Sequence, residues 1–141
     1  IQAALGLSQL KRISSIIEER NKILNTYKKS INDPNISFLK IGKNIKSAVH
    51  LVIIILNNIS EENHKKVFNE MRQRNIGVQL HYSPIHLQPY YRKLGFKKGD
   101  YPKSEEYSRK ALSLPVFEGL EDFQQEYVVK SLLDIVYNLK V

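Results

Sequence analysis

The chain has 141 residues, with 22 Lys+Arg against 14 Asp+Glu, a formal net charge of +8 and 42% hydrophobic residues. That size and composition fit one globular domain with a core of its own and exclude a disordered chain. The absence of cysteine excludes disulfides, thiolate metal sites and cysteine nucleophiles, and the longest apolar run, residues 51–56, is far short of the ~20 residues of a membrane-spanning helix.

In chain order, residues 1 to about 29 read as one long helix. Leu10, Ile13, Ile17 and Leu24 repeat on one face, while Lys11, Glu18, Arg20 and Lys28 fall largely elsewhere. The helix begins already in rhythm, with neither Met nor an N-cap residue ahead of it, which reads as a piece of a longer protein. At about eight turns it exceeds what a small domain requires. It serves either as a helix laid along one side of the domain or as a connector to further material. Asn32-Asp33-Pro34-Asn35 breaks it.

Residues 36–40 form a short strand candidate, followed by a loop at Gly42, Lys43 and Asn44. Residues 48–56 are the strongest strand candidate, apolar on both faces and so central in its sheet. Asn57-Asn58 turns the chain, and Ser60 is placed to cap a helix whose first turn holds Glu61 and Glu62. That helix turns Val67, Phe68 and Met71 inward and stops before Gly77. Residues 77–82 alternate as a strand.

Residues 83–101 read as a long irregular loop carrying Pro84, Pro89, Gly95 and Gly99. Ser104 is placed to cap a short helix through Ala111, with Ser113-Leu114-Pro115 as its exit. From Leu120 the spacing of Phe123, Tyr127, Val128, Leu132, Ile135 and Val136 gives an amphipathic helix. These elements predict an α+β domain: a small, mostly antiparallel sheet covered on one side by helices.

The basic residues come as scattered pairs, such as Lys11-Arg12 and Lys65-Lys66, with acids nearby. Such pairs read as solvated surface rather than a nucleic-acid footprint, and fit attraction of an anionic small molecule at least as well. No secretion signal is visible, which fits a reducing cytoplasm.

The polar functional groups crowd into one window: His81, Tyr82, His86, Gln88, Tyr90, Tyr91 and Arg92. Three readings stay open. A metal site would draw on His50, His81 and His86, although the window holds no Asp or Glu and no recognised zinc spacing. A structural role fits side chains with apolar bodies and polar tips, above all Tyr90, Tyr91 and His50. A substrate site fits a histidine at a rigid strand end with hydroxyls and an arginine nearby. No nucleophile elbow, phosphate-binding loop or dinucleotide fingerprint is present.

Ordered motifs along the whole chain resemble one family. The opening Ile1-Gln2-Ala3-Ala4-Leu5-Gly6-Leu7-Ser8-Gln9-Leu10 is similar to the start of the second half of the DegT/DnrJ/StrS sugar aminotransferases. The segment Ile76-Gly77-Val78-Gln79-Leu80-His81-Tyr82-Ser83-Pro84-Ile85-His86 looks like that family's strand and histidine loop. Leu87-Gln88-Pro89-Tyr90-Tyr91-Arg92 and Leu112-Ser113-Leu114-Pro115 continue the match in order. The form of the His–Tyr window most resembles the branch that works in pseudaminic acid synthesis, on C4 of a UDP-linked 4-keto-6-deoxy sugar.

The resemblance implies the smaller C-terminal domain of a fold type I aminotransferase that uses pyridoxal 5'-phosphate. Residues 1–31 would be a long connecting helix near a homodimer interface and residues 36–141 the α+β small domain. It implies that the cofactor lysine and most cofactor contacts lie in an N-terminal domain outside this chain, so that no catalytic or cofactor-binding residue is assigned here and this piece alone is inactive. The substrates implied are glutamate and a UDP-linked keto-sugar. Of this chain's residues, His86 matches a position that approaches the substrate, with His81 and Tyr82 as its neighbours. At Glu121 relatives often carry a Ser or Thr cap, which predicts a helix start weaker by about 0.5–1 kcal/mol. The rival reading is a stand-alone basic module for nucleotide or nucleic acid, using the Tyr90-Tyr91-Arg92 cluster.

Overall fold

A helix of 29 residues, α1 (Gln2–Ser30), leads into a four-stranded sheet packed under two further long helices. The computed structural model describes residues 1–42 and 44–139, so Lys43 of the expected loop lies outside the described residues. The elements after α1 are β1 (Ile36–Phe38), β2 (Val52–Leu56), α2 (Glu61–Gln73) and β3 (Gln79–Leu80). They continue with a 3₁₀ turn (Ile85–Leu87), α3 (Pro89–Lys93), α4 (Pro102–Ser108), β4 (Ala111–Leu114) and α5 (Asp122–Asn138). Among the described residues, no helix is long and apolar enough to cross a membrane.

The sheet order is β1-β2-β4-β3, and every pairing is antiparallel. The registers Ile36↔Leu56, Phe38↔Ile54, Val52↔Leu114 and Ile54↔Leu112 put these seven side chains on one face. That face joins Val67 and Met71 of α2, Leu132 and Ile135 of α5, and Ile23, Leu24 and Tyr27 of α1 in one core. The expected α+β architecture, with β2 inside the sheet, is what the structure shows.

Several expected boundaries change for local reasons. The strand expected over residues 48–56 starts only at Val52, because Val49 has φ +45 and cannot continue a pleated strand. The strand expected over residues 77–82 shrinks to Gln79–Leu80, because the Val78 N–H turns back to the Ile76 carbonyl at 2.9 Å. Proline misleads twice: Pro89 and Pro102 sit in the first turns of α3 and α4, where a missing N–H costs nothing. The loop expected over residues 83–101 is therefore partly helical, and α4 starts at Pro102 without a cap from Ser104.

Ala111 and the Ser113-Leu114 pair, expected as a helix end and its exit, form β4 instead, with all four residues buried. On α5, Phe123 and Tyr127 are exposed, against the expectation, while Val128, Leu132, Ile135 and Val136 are buried. On α1, Leu10 and Ile13 are exposed; only Ile23, Leu24 and Tyr27 are buried. Ser60 caps α2 as expected, accepting from the Asn63 N–H at 3.1 Å. At the start of α5, where a weaker start was expected without Ser or Thr, Glu121 and Gln124 form a capping box in which the Gln124 side chain accepts from the Glu121 N–H at 3.1 Å.

Candidate functional site

The segment between β3 and β4 is closed by one buried polar pair. The 3₁₀ turn after Pro84 points His86 inward, and α4 brings Glu105 to it; the two residues are 6% and 5% exposed. His86 Nε2 lies 2.9 Å from Glu105 Oε1. The same oxygen accepts the Gly99 backbone N–H at 2.7 Å, and Gly99 has φ +99, a conformation that suits glycine. The Gly99 N–H and, after it, the His86 hydrogen bond hold the Glu105 carboxyl below the usual carboxylate range. The Tyr101 ring leans on His86 with centroids 4.9 Å apart, and Phe96 meets Tyr101 at 6.1 Å.

His81 and Tyr82 form a second unit. Their rings stack with centroids 4.5 Å apart and 24° between planes, and a cis peptide joins them. His81 is 8% exposed and its Nδ1 is buried without a hydrogen-bond partner among the described residues, whereas Tyr82 is 70% exposed. Tyr82 and Glu105 both line a cavity of about 400 Å³, together with Phe68, Pro84, Leu87 and Arg109. Of the three sequence-predicted residues Tyr82 lines this cavity, His81 stacks on Tyr82, and His86 pairs with Glu105 rather than with His81.

His50 lies elsewhere. It is exposed and lines a wider groove of about 940 Å³ with Gly77, Ser113, Phe117, Phe123 and Tyr127. The histidines of the metal reading do not converge: among the described residues no group of three or more His, Asp or Glu is placed to hold an ion. Tyr90 and Tyr91 meet edge-on at 5.3 Å, with Tyr91 against Phe96, as surface aromatics around α3.

Sequence reasoning missed Glu105 and His64. Glu105 sits 19 residues beyond His86, and no spacing pattern joins a 3₁₀ turn to a helix across an irregular segment. His64 is buried on α2, and its Nε2 donates to the Ala111 carbonyl at 3.1 Å, which ties α2 to β4; burial pushes its pKa below the ordinary imidazole value.

Among the described residues no lysine is fully buried. Every described lysine is exposed except Lys110, which is half-buried and paired with Glu106 at 2.7 Å.

The fold is that of sugar aminotransferase structures. Spr1654 of Streptococcus pneumoniae in its PMP form superposes with a TM-score of 0.92 at 27% identity, over 96% of this chain and 34% of that one. Its PLP form gives a TM-score of 0.91. Among sequence relatives, the spore coat polysaccharide biosynthesis protein SpsC of Bacillus subtilis is 31% identical over 96% of this chain and 36% of its own length. The UDP-4-amino-4,6-dideoxy-N-acetyl-beta-L-altrosamine transaminase of Campylobacter jejuni is 28% identical over 99% of this chain and 37% of its own length. The chain belongs to the DegT/DnrJ/EryC1/StrS aminotransferase family, which matches it over residues 1–133. It spans little more than a third of the length of these curated relatives.

Proposed function

We propose that the chain is the small C-terminal domain of a pyridoxal-phosphate-dependent aminotransferase acting on a nucleotide-linked keto-sugar. The observation that carries this reading is the family match over residues 1–133 of a chain that spans about a third of its relatives. The cofactor would supply the electron sink for amino transfer and would be held by the remainder of the protein. The UDP-sugar name of the Campylobacter jejuni relative supports a UDP-linked 4-keto-6-deoxy substrate, and glutamate is the proposed donor. The first half of α1, with its exposed apolar side chains, would lie near the interface of a homodimer.

Within that enzyme, His86 is the chain's main contribution to substrate binding, with His81 and Tyr82 beside it. Its ring is held on one side by Glu105 and Tyr101, so its orientation is set before ligand arrives. Pre-set polar groups of this kind spend less binding energy on ordering than free side chains do.

The test uses the whole reading frame that carries this chain, purified with pyridoxal phosphate. A visible absorption band that changes on adding glutamate is expected; no band sinks the proposal. His86→Ala should keep that band and lower kcat/KM for the sugar nucleotide about tenfold or more, the worth of one good hydrogen bond. An unchanged kcat/KM removes His86 from the site.

A further inference from the structure

The pairing of His86 with Glu105 fixes which ring nitrogen carries the proton. An ionised carboxylate has no proton to give, so it can only accept. Glu105 stays ionised because the Gly99 N–H and His86 both bond its Oε1, at 2.7 Å and 2.9 Å. The partner atom, His86 Nε2, therefore donates. In the neutral imidazole the other nitrogen, Nδ1, then has to be the lone-pair atom. Among the described residues, His86 Nδ1 has no hydrogen-bond partner. Both side chains are more than nine-tenths buried, so bulk solvent competes little for the Nε2–H bond.

We infer that Glu105 is a positioning residue that holds His86 in its Nε2–H tautomer and leaves Nδ1 as an acceptor for a hydroxyl or amide N–H of the ligand. This rests on the reading of His86 as a substrate contact and makes it specific. In its neutral form, a His86 held in this way takes a hydrogen bond from a sugar hydroxyl or an acetamido N–H. It does not offer one to a phosphate oxygen, which needs a donor. Gly99 belongs to the device, because its backbone N–H holds the same carboxylate oxygen that His86 Nε2 bonds. Tyr101 completes it by limiting how far the ring can tilt.

Two measurements test this independently of each other. The first reads the ring nitrogens of the labelled chain by long-range proton–nitrogen correlation at about pH 8.5, well above an ordinary imidazole pKa. His86 should show a protonated Nε2 and an unprotonated Nδ1; a protonated Nδ1 overturns the inference. Glu105→Leu, which removes the acceptor, should give a mixture of tautomers, while Glu105→Gln, which keeps one acceptor oxygen, should retain the native state. A Glu105→Leu variant that keeps Nε2–H alone also overturns it.

The second measurement compares two substitutions in the intact enzyme. Asn places a polar group near the position of Nδ1, and Gln places one near Nε2. Both variants should lower kcat/KM for the sugar nucleotide, His86→Gln by about tenfold through KM and His86→Asn by clearly less. The reverse order shows that only the link to Glu105 matters and overturns the acceptor role. Wild-type values for both variants overturn the substrate reading of His86 itself, whatever the ring tautomer. If Glu105→Leu does not fold, this comparison decides.

Discussion

Leu24, in the second half of α1, is 6% exposed, whereas Leu10, in the first half, is 61% exposed. Both sit on the apolar stripe of one continuous helix, and Ile13 and Ile23 repeat the contrast. The second half is bound on several sides. Tyr27 donates to the Pro115 carbonyl at 3.1 Å, Gln125 of α5 donates to the Ile23 carbonyl at 2.7 Å, and Asn21 donates to the Ser47 carbonyl at 2.9 Å. The first half is tied by Arg12 to Glu118, and further along Glu19 accepts the Gly119 N–H at 2.7 Å. Periodicity reports which side of a helix would be buried; only neighbours decide whether it is.

Three substitutions sharpen or break this contrast. Leu24→Ala should cost about 2–5 kcal/mol of unfolding free energy in a urea titration, because the core closes poorly around the lost atoms. Tyr27→Phe should cost about 1 kcal/mol, since it leaves the half-buried Pro115 carbonyl without its donor. Leu10→Gln should change stability by less than about 0.5 kcal/mol, as surface substitutions do. A loss at Leu10 close to that at Leu24 would show that this chain buries the first half of α1 in solution, through association with itself. Sedimentation at two protein concentrations would then show it.

The parts of the fold that were legible in the sequence are those where local and global preferences agree. Ser60 with Glu61 and Glu62 marks the start of α2, and the apolar spacing from Val128 to Val136 marks α5. β4 was hidden because Ser113 interrupts its apolar run and its strand character comes from neighbours on both sides, β2 and β3. α3 and α4 were hidden because proline breaks a helix interior yet begins a helix well, and sequence alone does not say which position it holds. In the candidate site, the His–Tyr window was legible from its residue types. The Glu105 partner was not, since tertiary placement of α4, not spacing, brings it to His86.

The uneven seating of α1 also sets how the molecule breathes. A helix of about 44 Å that is gripped at one end has no single stability. Opening of its first turns breaks few contacts beyond its own backbone bonds, so those amides exchange with solvent by cheap local fraying. Past Ile23, opening one turn means releasing Tyr27, Leu24 and the bond from Gln125 together, which approaches the free energy of unfolding the whole core. The helix thus spans a gradient of protection along a single element, loosest where its apolar side chains are bare.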